Sequence, residues 1–236
     1  MYLGVDGADG GWLVAKHDGN SYGFEYLSSF SKVWKRYAVD ADERPDLVLV
    51  DIPIGLRNDG EPRDCDTEAR KRVRSSTVYP TPSRPALYED TYEEAKSTNE
   101  EVTGGKSLSV QTWNITPLIR GVDEVLNEYE GARGTVREAH PELCFWALNG
   151  GEAVKTKKQT EEGYQERLGI LEEADPEARE AAETAVERYG GTGVDRDDIV
   201  DAVALVVTAR GELGAVPDEP PTDDRGIRME MVFRKD

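Results

Sequence analysis

The chain has 236 residues, 48 acidic and 29 basic, for a formal charge of −19 at pH 7. It holds no run near the roughly 20 apolar residues of a membrane span, and the polar start Met1-Tyr2-Leu3-Gly4-Val5-Asp6 does not read as a signal peptide. Two cysteines, Cys65 and Cys144, exclude a disulfide framework or a multi-cysteine metal knot, and they fit small buried residues in a reducing cytoplasm.

Three strand-like runs open the chain: Leu3-Gly4-Val5-Asp6, Trp12-Leu13-Val14-Ala15 and Tyr22 to Leu27, separated by Gly-rich and Asp-Gly-Asn turns. Ser28 to Tyr37 reads as a short helix, capped by Ser29 or Ser31, with Val33, Trp34 and Tyr37 facing inward. Leu47-Val48-Leu49-Val50-Asp51-Ile52 is a continuous apolar run, as a strand buried on both faces requires, and Pro53 and Gly55 end it. Residues 57–105 are polar and rich in Pro, Arg and Ser, with one helix from Cys65 to Val73 and a loop over 75–82. A longer helix follows from Val110 to Glu128, in which Pro117 predicts a break or kink. Thr135 to His140 is a fifth strand. Further helices are predicted over Glu161 to Glu173, Pro176 to Tyr189 and Asp197 to Leu213. The rest is polar, apart from a strand-like patch at Met229 to Phe233.

This order predicts an α/β fold, a mixed five-stranded sheet with helices on both faces. The connectivity is ribonuclease H-like over residues 1–215, with a helical insertion at 57–105 and a polar tail over 216–236. Half of an actin-like sugar kinase shares it.

Carboxylates carry the candidate chemistry. Asp6 ends the first strand, in Gly4-Val5-Asp6-Gly7-Ala8, and Asp51 ends the fourth. Either one alone fits a turn-capping Asp. In Asp197-Asp198-Ile199-Val200-Asp201-Ala202, positions 198 and 201 are three apart and 197 and 201 four apart, so the acids share one helix face. The helix dipole favours acids near its amino end. Asp201, however, lies one turn inside and precedes a nearly all-apolar run, where a carboxylate needs a metal or a partner. In this fold the first and fourth strands are neighbours and the closing helix crosses them. Asp6, Asp51 and the Asp198/Asp201 pair therefore converge. Hard oxygen ligands in a cluster suit Mg²⁺ or Mn²⁺, and two such ions about 3.5–4 Å apart serve phosphodiester hydrolysis. The expectation is a metal-dependent phosphodiesterase with these four Asp as metal ligands and catalytic carboxylates.

Several segments resemble, in family order, the domain of unknown function 429 family. They are Gly4-Val5-Asp6-Gly7 with Gly11-Trp12, Asp51-Ile52-Pro53-Ile54-Gly55-Leu56, and Arg63-Asp64-Cys65-Asp66 with Ala69-Arg70. Ser75-Ser76-Thr77-Val78-Tyr79-Pro80, Leu108-Ser109-Val110-Gln111, Glu138 to Phe145 and Asp197 to Ala202 complete the match, from residue 4 to about 210. The family is one of predicted nucleases of the ribonuclease H-like superfamily, so the resemblance implies a nuclease with a nucleic-acid partner. Asp198-Ile199-Val200-Asp201-Ala202 also resembles the acidic helix of Holliday-junction resolvases. Those relatives pair, so a homodimer belongs among the expectations.

Charge pattern and flanking residues fill in the picture. The acids are dispersed, and Arg outnumbers Lys by 19 to 10, a pattern resembling proteins of salt-accumulating halophiles. At molar salt the screening length falls to about 3 Å, so net charge does not exclude nucleic acid and local charge decides. Ala69 to Ala86 holds Arg70, Lys71, Arg72, Arg74 and Arg84 and no acid. It reads either as a phosphate-contacting segment or as a solvated helix paired with surface acids. Candidate substrate contacts are Arg63, Arg70, Arg74, Ser75, Ser76, Lys106, Gln111 and His140, with Lys106 and Gln111 taken from the family resemblance. His140 fits general acid–base work or a hydrogen-bonded structural role. Glu138 and Glu142 are extra or supporting ligands, Glu142 counted with the catalytic carboxylates. Two other readings remain beside the nuclease. One is an actin-like ATPase or kinase, whose phosphate loop Asp6 to Gly11 resembles, although 236 residues do not easily hold its two domains. The other is a non-catalytic nucleic-acid- or protein-binding module on the same fold.

Overall fold

A computed structural model describes residues 1–235. β1 (Tyr2–Ala8), β2 (Gly11–His17) and β3 (Tyr22–Leu27) form an antiparallel meander. Next come α1 (Phe30–Trp34), capped by the Ser29 hydroxyl, and a π turn over Lys35–Val39. β4 (Leu47–Val50) then pairs in parallel with β1. Four helices separate it from the next strand: α2 (Asp64–Arg70), α3 (Arg84–Leu87), α4 (Tyr92–Val102) and α5 (Val110–Glu128). β5 (Val136–Glu138) pairs in parallel with β4, completing the order β3-β2-β1-β4-β5. The expected mixed five-stranded, ribonuclease H-like sheet is present.

After β5 come α6 (Pro141–Leu148), α7 (Glu161–Ala174), α8 (Ala178–Tyr189) and α9 (Arg196–Ala209). A two-stranded antiparallel sheet of β6 (Leu213–Val216) and β7 (Met231–Arg234) closes the chain. Among the described residues no helix is long and apolar enough to cross a membrane.

Side-chain alternation divides the core into two layers. Leu3, Val5, Val48 and Val50 pack against Phe30 of α1 and Ile119, Val122 and Leu126 of α5. Leu13, Ala15 and Leu49 pack on the other face, against α6 to α9. Because neighbouring residues point oppositely, Gly4 and Asp6 share that second face, as does Asp51 just past β4.

α9 begins with a capping box, in which Asp198 Oδ2 accepts from the Asp195 N–H at 3.0 Å. Every residue from Ile199 to Ala209 is buried. A Cβ on Gly4 would meet the Ala202 carbonyl oxygen at 2.1 Å, so only glycine lets α9 lie this close to β1. That approach carries Asp201 to the carboxyl end of the strand.

Several elements differ from the sequence expectation. α5 runs unbroken through Pro117, whose missing N–H would leave the Trp113 carbonyl without its usual partner. The Thr116 hydroxyl donates to that carbonyl at 2.8 Å instead. α6 was not expected after the fifth strand. Pro141, with no N–H to offer, occupies the first helical turn, and His140 Nδ1 accepts the Glu142 N–H as N-cap. α4 starts at Thr91-Tyr92-Glu93-Glu94, a Thr-x-x-Glu cap that the polar composition of the insertion obscures. α9 stops at Ala209, and Leu213 opens β6. The polar stretch after Pro217 is anchored by Asp223, which accepts the Leu56 and Ile227 N–H groups and pairs with Arg84.

Gly4→Ala is expected to push α9 off β1 and lower stability by about 1–3 kcal/mol, read as a lower midpoint in urea. Gly134→Ala, where an added Cβ meets nothing within 4 Å, should leave the midpoint unchanged. Equal midpoints for parent and Gly4→Ala would contradict the close-packing account.

Candidate active site

Register brings the first two carboxylates together. Val5 lies opposite Val50 in the parallel β1–β4 ladder, and the Asp51 N–H donates to Val5 O at 3.0 Å. Asp6 and Asp51 therefore leave the sheet side by side at its carboxyl edge. Asp201 arrives from α9, and all three line one cavity of about 580 Å³.

Asp6 is 7% exposed and Asp201 2%. Burial, followed by the charges of Asp51, Asp201 and Asp198, pushes the Asp6 carboxyl well above the usual carboxylate range. Burial also raises Asp51, and it lifts Asp201 to about 6 despite the relief that Lys158 gives. Like charges lie together here, partly withdrawn from solvent. Asp6 Oδ1 accepts the Gly7 N–H at 2.7 Å. Asp201 Oδ2 accepts from Lys158 Nζ at 2.8 Å, whereas its Oδ1 is buried and has no partner among the described residues.

Lys158 comes from the loop between α6 and α7, and its ammonium also lies 3.4 Å from Asp197 Oδ2. Burial works against its charge, but Asp201, Asp6 and Asp197 outweigh that and hold the group above the ordinary lysine value. The sequence reading missed this residue. A signal was present, since three of the ten lysines of a lysine-poor chain fall at 155, 157 and 158.

The other expected residues divide into distinct groups. His140 lines the cavity with both ring nitrogens engaged: Nδ1 caps α6, so Nε2 carries the proton and donates to the Thr77 carbonyl at 3.0 Å. Glu142 also lines it and accepts from Arg167 Nη2 at 2.5 Å. Asp198 sits in the capping box and is raised to about 6 by burial, outside the cavity lining. Arg74 and Ser76 are exposed at the cavity wall. Arg70, Ser75 and Lys106 line a second cavity of about 570 Å³, which shares Arg63, Asp66, Val78 and Thr81 with the first. Gln111 is exposed and lines neither.

Arg63 has a structural task. It is 2% exposed, and its guanidinium spans Glu138 and Asp66 at 2.6–2.8 Å and donates to the Ile54 carbonyl at 2.9 Å. Glu138 Oε2 accepts the Ile54 N–H at 2.6 Å. The pair clamps the loop that follows Asp51. Glu138 faces away from Asp51, because its register partner is Val50. Of the basic run, Lys71 and Arg72 pair with Glu68, and Arg84 is buried against Asp123 and Asp223. Only Arg74 reaches the acidic cavity.

Among the described residues no three His, Cys, Asp or Glu side chains stand at metal-ligand spacing. Asp201 is turned to Lys158 instead. The donor set itself suits a hard cation: three clustered carboxylates, one with a buried oxygen that nothing satisfies.

Sheet order and cavity together define an α/β protein of ribonuclease H-like topology with an acid-lined cleft. The family model described as "Protein of unknown function (DUF429)" matches residues 4–223, and the chain belongs to that family. No match was found among curated proteins or among solved structures.

Linkage sets the sign of the pH response. A carboxyl with a higher pKa folded than unfolded adds no penalty below the unfolded value and opposes folding once pH exceeds the folded one. Without metal, Asp6→Asn should therefore melt above the parent at pH 8, by about 2–4 °C per kcal/mol of relieved repulsion. The gap should close toward pH 4. Calorimetry across that range checks this, and a gap independent of pH would contradict it.

Proposed function

We propose that the chain is a divalent-metal-dependent nuclease of the ribonuclease H-like superfamily, acting on nucleic acid in a salt-rich cytoplasm. The observation that carries this reading is the meeting of Asp6, Asp51 and Asp201 in one cavity, with Asp201 Oδ1 buried and unpartnered. An acceptor that neither water nor an N–H reaches is poorly placed unless a cation completes it.

Asp6, Asp51 and Asp201 would hold Mg²⁺ or Mn²⁺. When bound, such an ion supplies Lewis acidity at a phosphodiester oxygen and a water of lowered pKa. The chain supplies preorganisation. The β1–β4 register and the α9 contact at Gly4 set the carboxylates before any ligand arrives. At the rim, Arg74 is held by the Lys155 carbonyl at 2.8 Å, and Ser76 lies two residues on. Both offer contacts to phosphate oxygens. Tyr79, half exposed on the same loop, offers a ring face on which an unpaired base stacks. At molar salt the acidic surface repels the phosphate chain only at contact distance, so this rim decides approach.

A panel of branched, single-stranded and RNA–DNA hybrid oligonucleotides in molar KCl with Mg²⁺ or Mn²⁺ tests the reading. The parent is expected to cut at least one, and chelation should stop it. Asp6→Asn and Asp201→Asn are each expected to abolish cleavage while keeping the parent's circular dichroism. Both variants cutting at the parent's rate would overturn the assignment of these carboxylates. No cleavage of any substrate would overturn the nuclease itself.

A further inference from the structure

Lys158 holds a position that a surface lysine does not ordinarily hold. Its Nζ lies 2.8 Å from Asp201 Oδ2 and 3.4 Å from Asp197 Oδ2, and it acts on the charges of Asp6 and Asp51 as well. We propose that Lys158 is the built-in second positive centre of this site, so that the carboxylate cluster takes one divalent cation rather than two. The inference rests on the metal-dependent reading above and departs from the two-ion expectation of the sequence.

Three observations carry it. The first is how Asp201 divides its oxygens. A carboxylate has two oxygens with which to hold cations. Here Oδ2 already accepts from an ammonium, and only Oδ1 is left buried without a partner. One of the two seats is filled by the chain itself.

The second is charge. Lys158 faces Asp201 and Asp197 directly and eases the repulsion on Asp6 and Asp51, so the chain itself already offsets part of the negative charge that a second cation would offset.

The third is that the lysine is tethered. Thr160 N–H and its hydroxyl both donate to the Lys157 carbonyl, at 3.0 and 2.8 Å, and the Thr160 hydroxyl caps α7 at Gly163. A Cβ on Gly163 would meet the Lys157 carbonyl at 2.0 Å, so the turn is packed onto the helix. Arg196, in the first turn of α9, donates to the Gln159 carbonyl at 3.1 Å. The backbone beside Lys158 is thus fixed to the two helices that frame the cluster. Such a cation needs little reordering to serve a phosphodiester oxygen.

The experiment counts bound Mn²⁺ on the full-length protein at pH 7.5 in molar KCl, by electron paramagnetic resonance and isothermal titration. High salt suppresses diffuse binding to the acidic surface. The parent and Lys158→Arg are expected to bind one ion per chain, and Lys158→Ala two. Two tight ions on the parent would overturn the inference and leave the metal-dependent reading intact. One ion on Lys158→Ala, folded as judged by circular dichroism, would also overturn it. No tight ion on the parent would remove both together. Because the parent's own stoichiometry is decisive, the test stands even if Lys158→Ala does not fold.

Discussion

Mutual repulsion among Asp6, Asp51 and Asp201 is the constraint around which the rest of the protein is arranged. Three clustered carboxylates, desolvated by the protein around them, oppose folding, as their raised pKa values express. Rigid elements must hold them against that force. A parallel ladder, whose backbone hydrogen bonds do not depend on side-chain charge, fixes two. The third rides on a helix whose residues from Ile199 to Ala209 are all buried, pressed against β1 at Gly4, where there is no Cβ. Apolar burial therefore opposes electrostatic repulsion at a single point, an arrangement proteins keep where function requires it.

Two buried polar networks steady the surroundings. Arg63, Glu138 and Asp66 tie the loop after Asp51 to α2 and to β5. Arg84, Asp123 and Asp223 tie α3 and α5 to the segment between β6 and β7. In each the buried arginine is paired with two carboxylates, and loss of one member would strand the others. Both networks include residues of the polar insertion or the polar C-terminal stretch. Those segments brace the loop beneath the cleft, which explains why Arg63 and Arg84 face inward.

The sheet and the main carboxylates were legible because both depend on local pattern. Leu47 to Val50 is apolar on both faces, and Asp6, Asp51 and Asp201 each interrupt an apolar run where no packing reason calls for an acid. The fold then set their convergence. What escaped the sequence was whatever depends on a distant partner. Lys158 looks like an ordinary lysine until α9 is folded against its loop. Arg63 looks like a phosphate contact until Glu138 is found beneath it. His140-Pro141 looks like the end of a strand, although a proline at that place equally opens a helix. Pro117 looks like a helix breaker, but α5 continues through it and the Thr116 hydroxyl satisfies the carbonyl that proline leaves open. The basic run from 69 to 86 was legible as composition only, since its members point to four different places.

The central claim is that the three carboxylates form a seat for a hard cation. An anomalous difference map from crystals soaked in MnCl₂ tests it most directly. The account predicts a peak within ligand distance of Asp6, Asp51 and Asp201 Oδ1, with Lys158 still on Asp201 Oδ2. A fully occupied map elsewhere on the surface, with this cavity holding water alone, would contradict it.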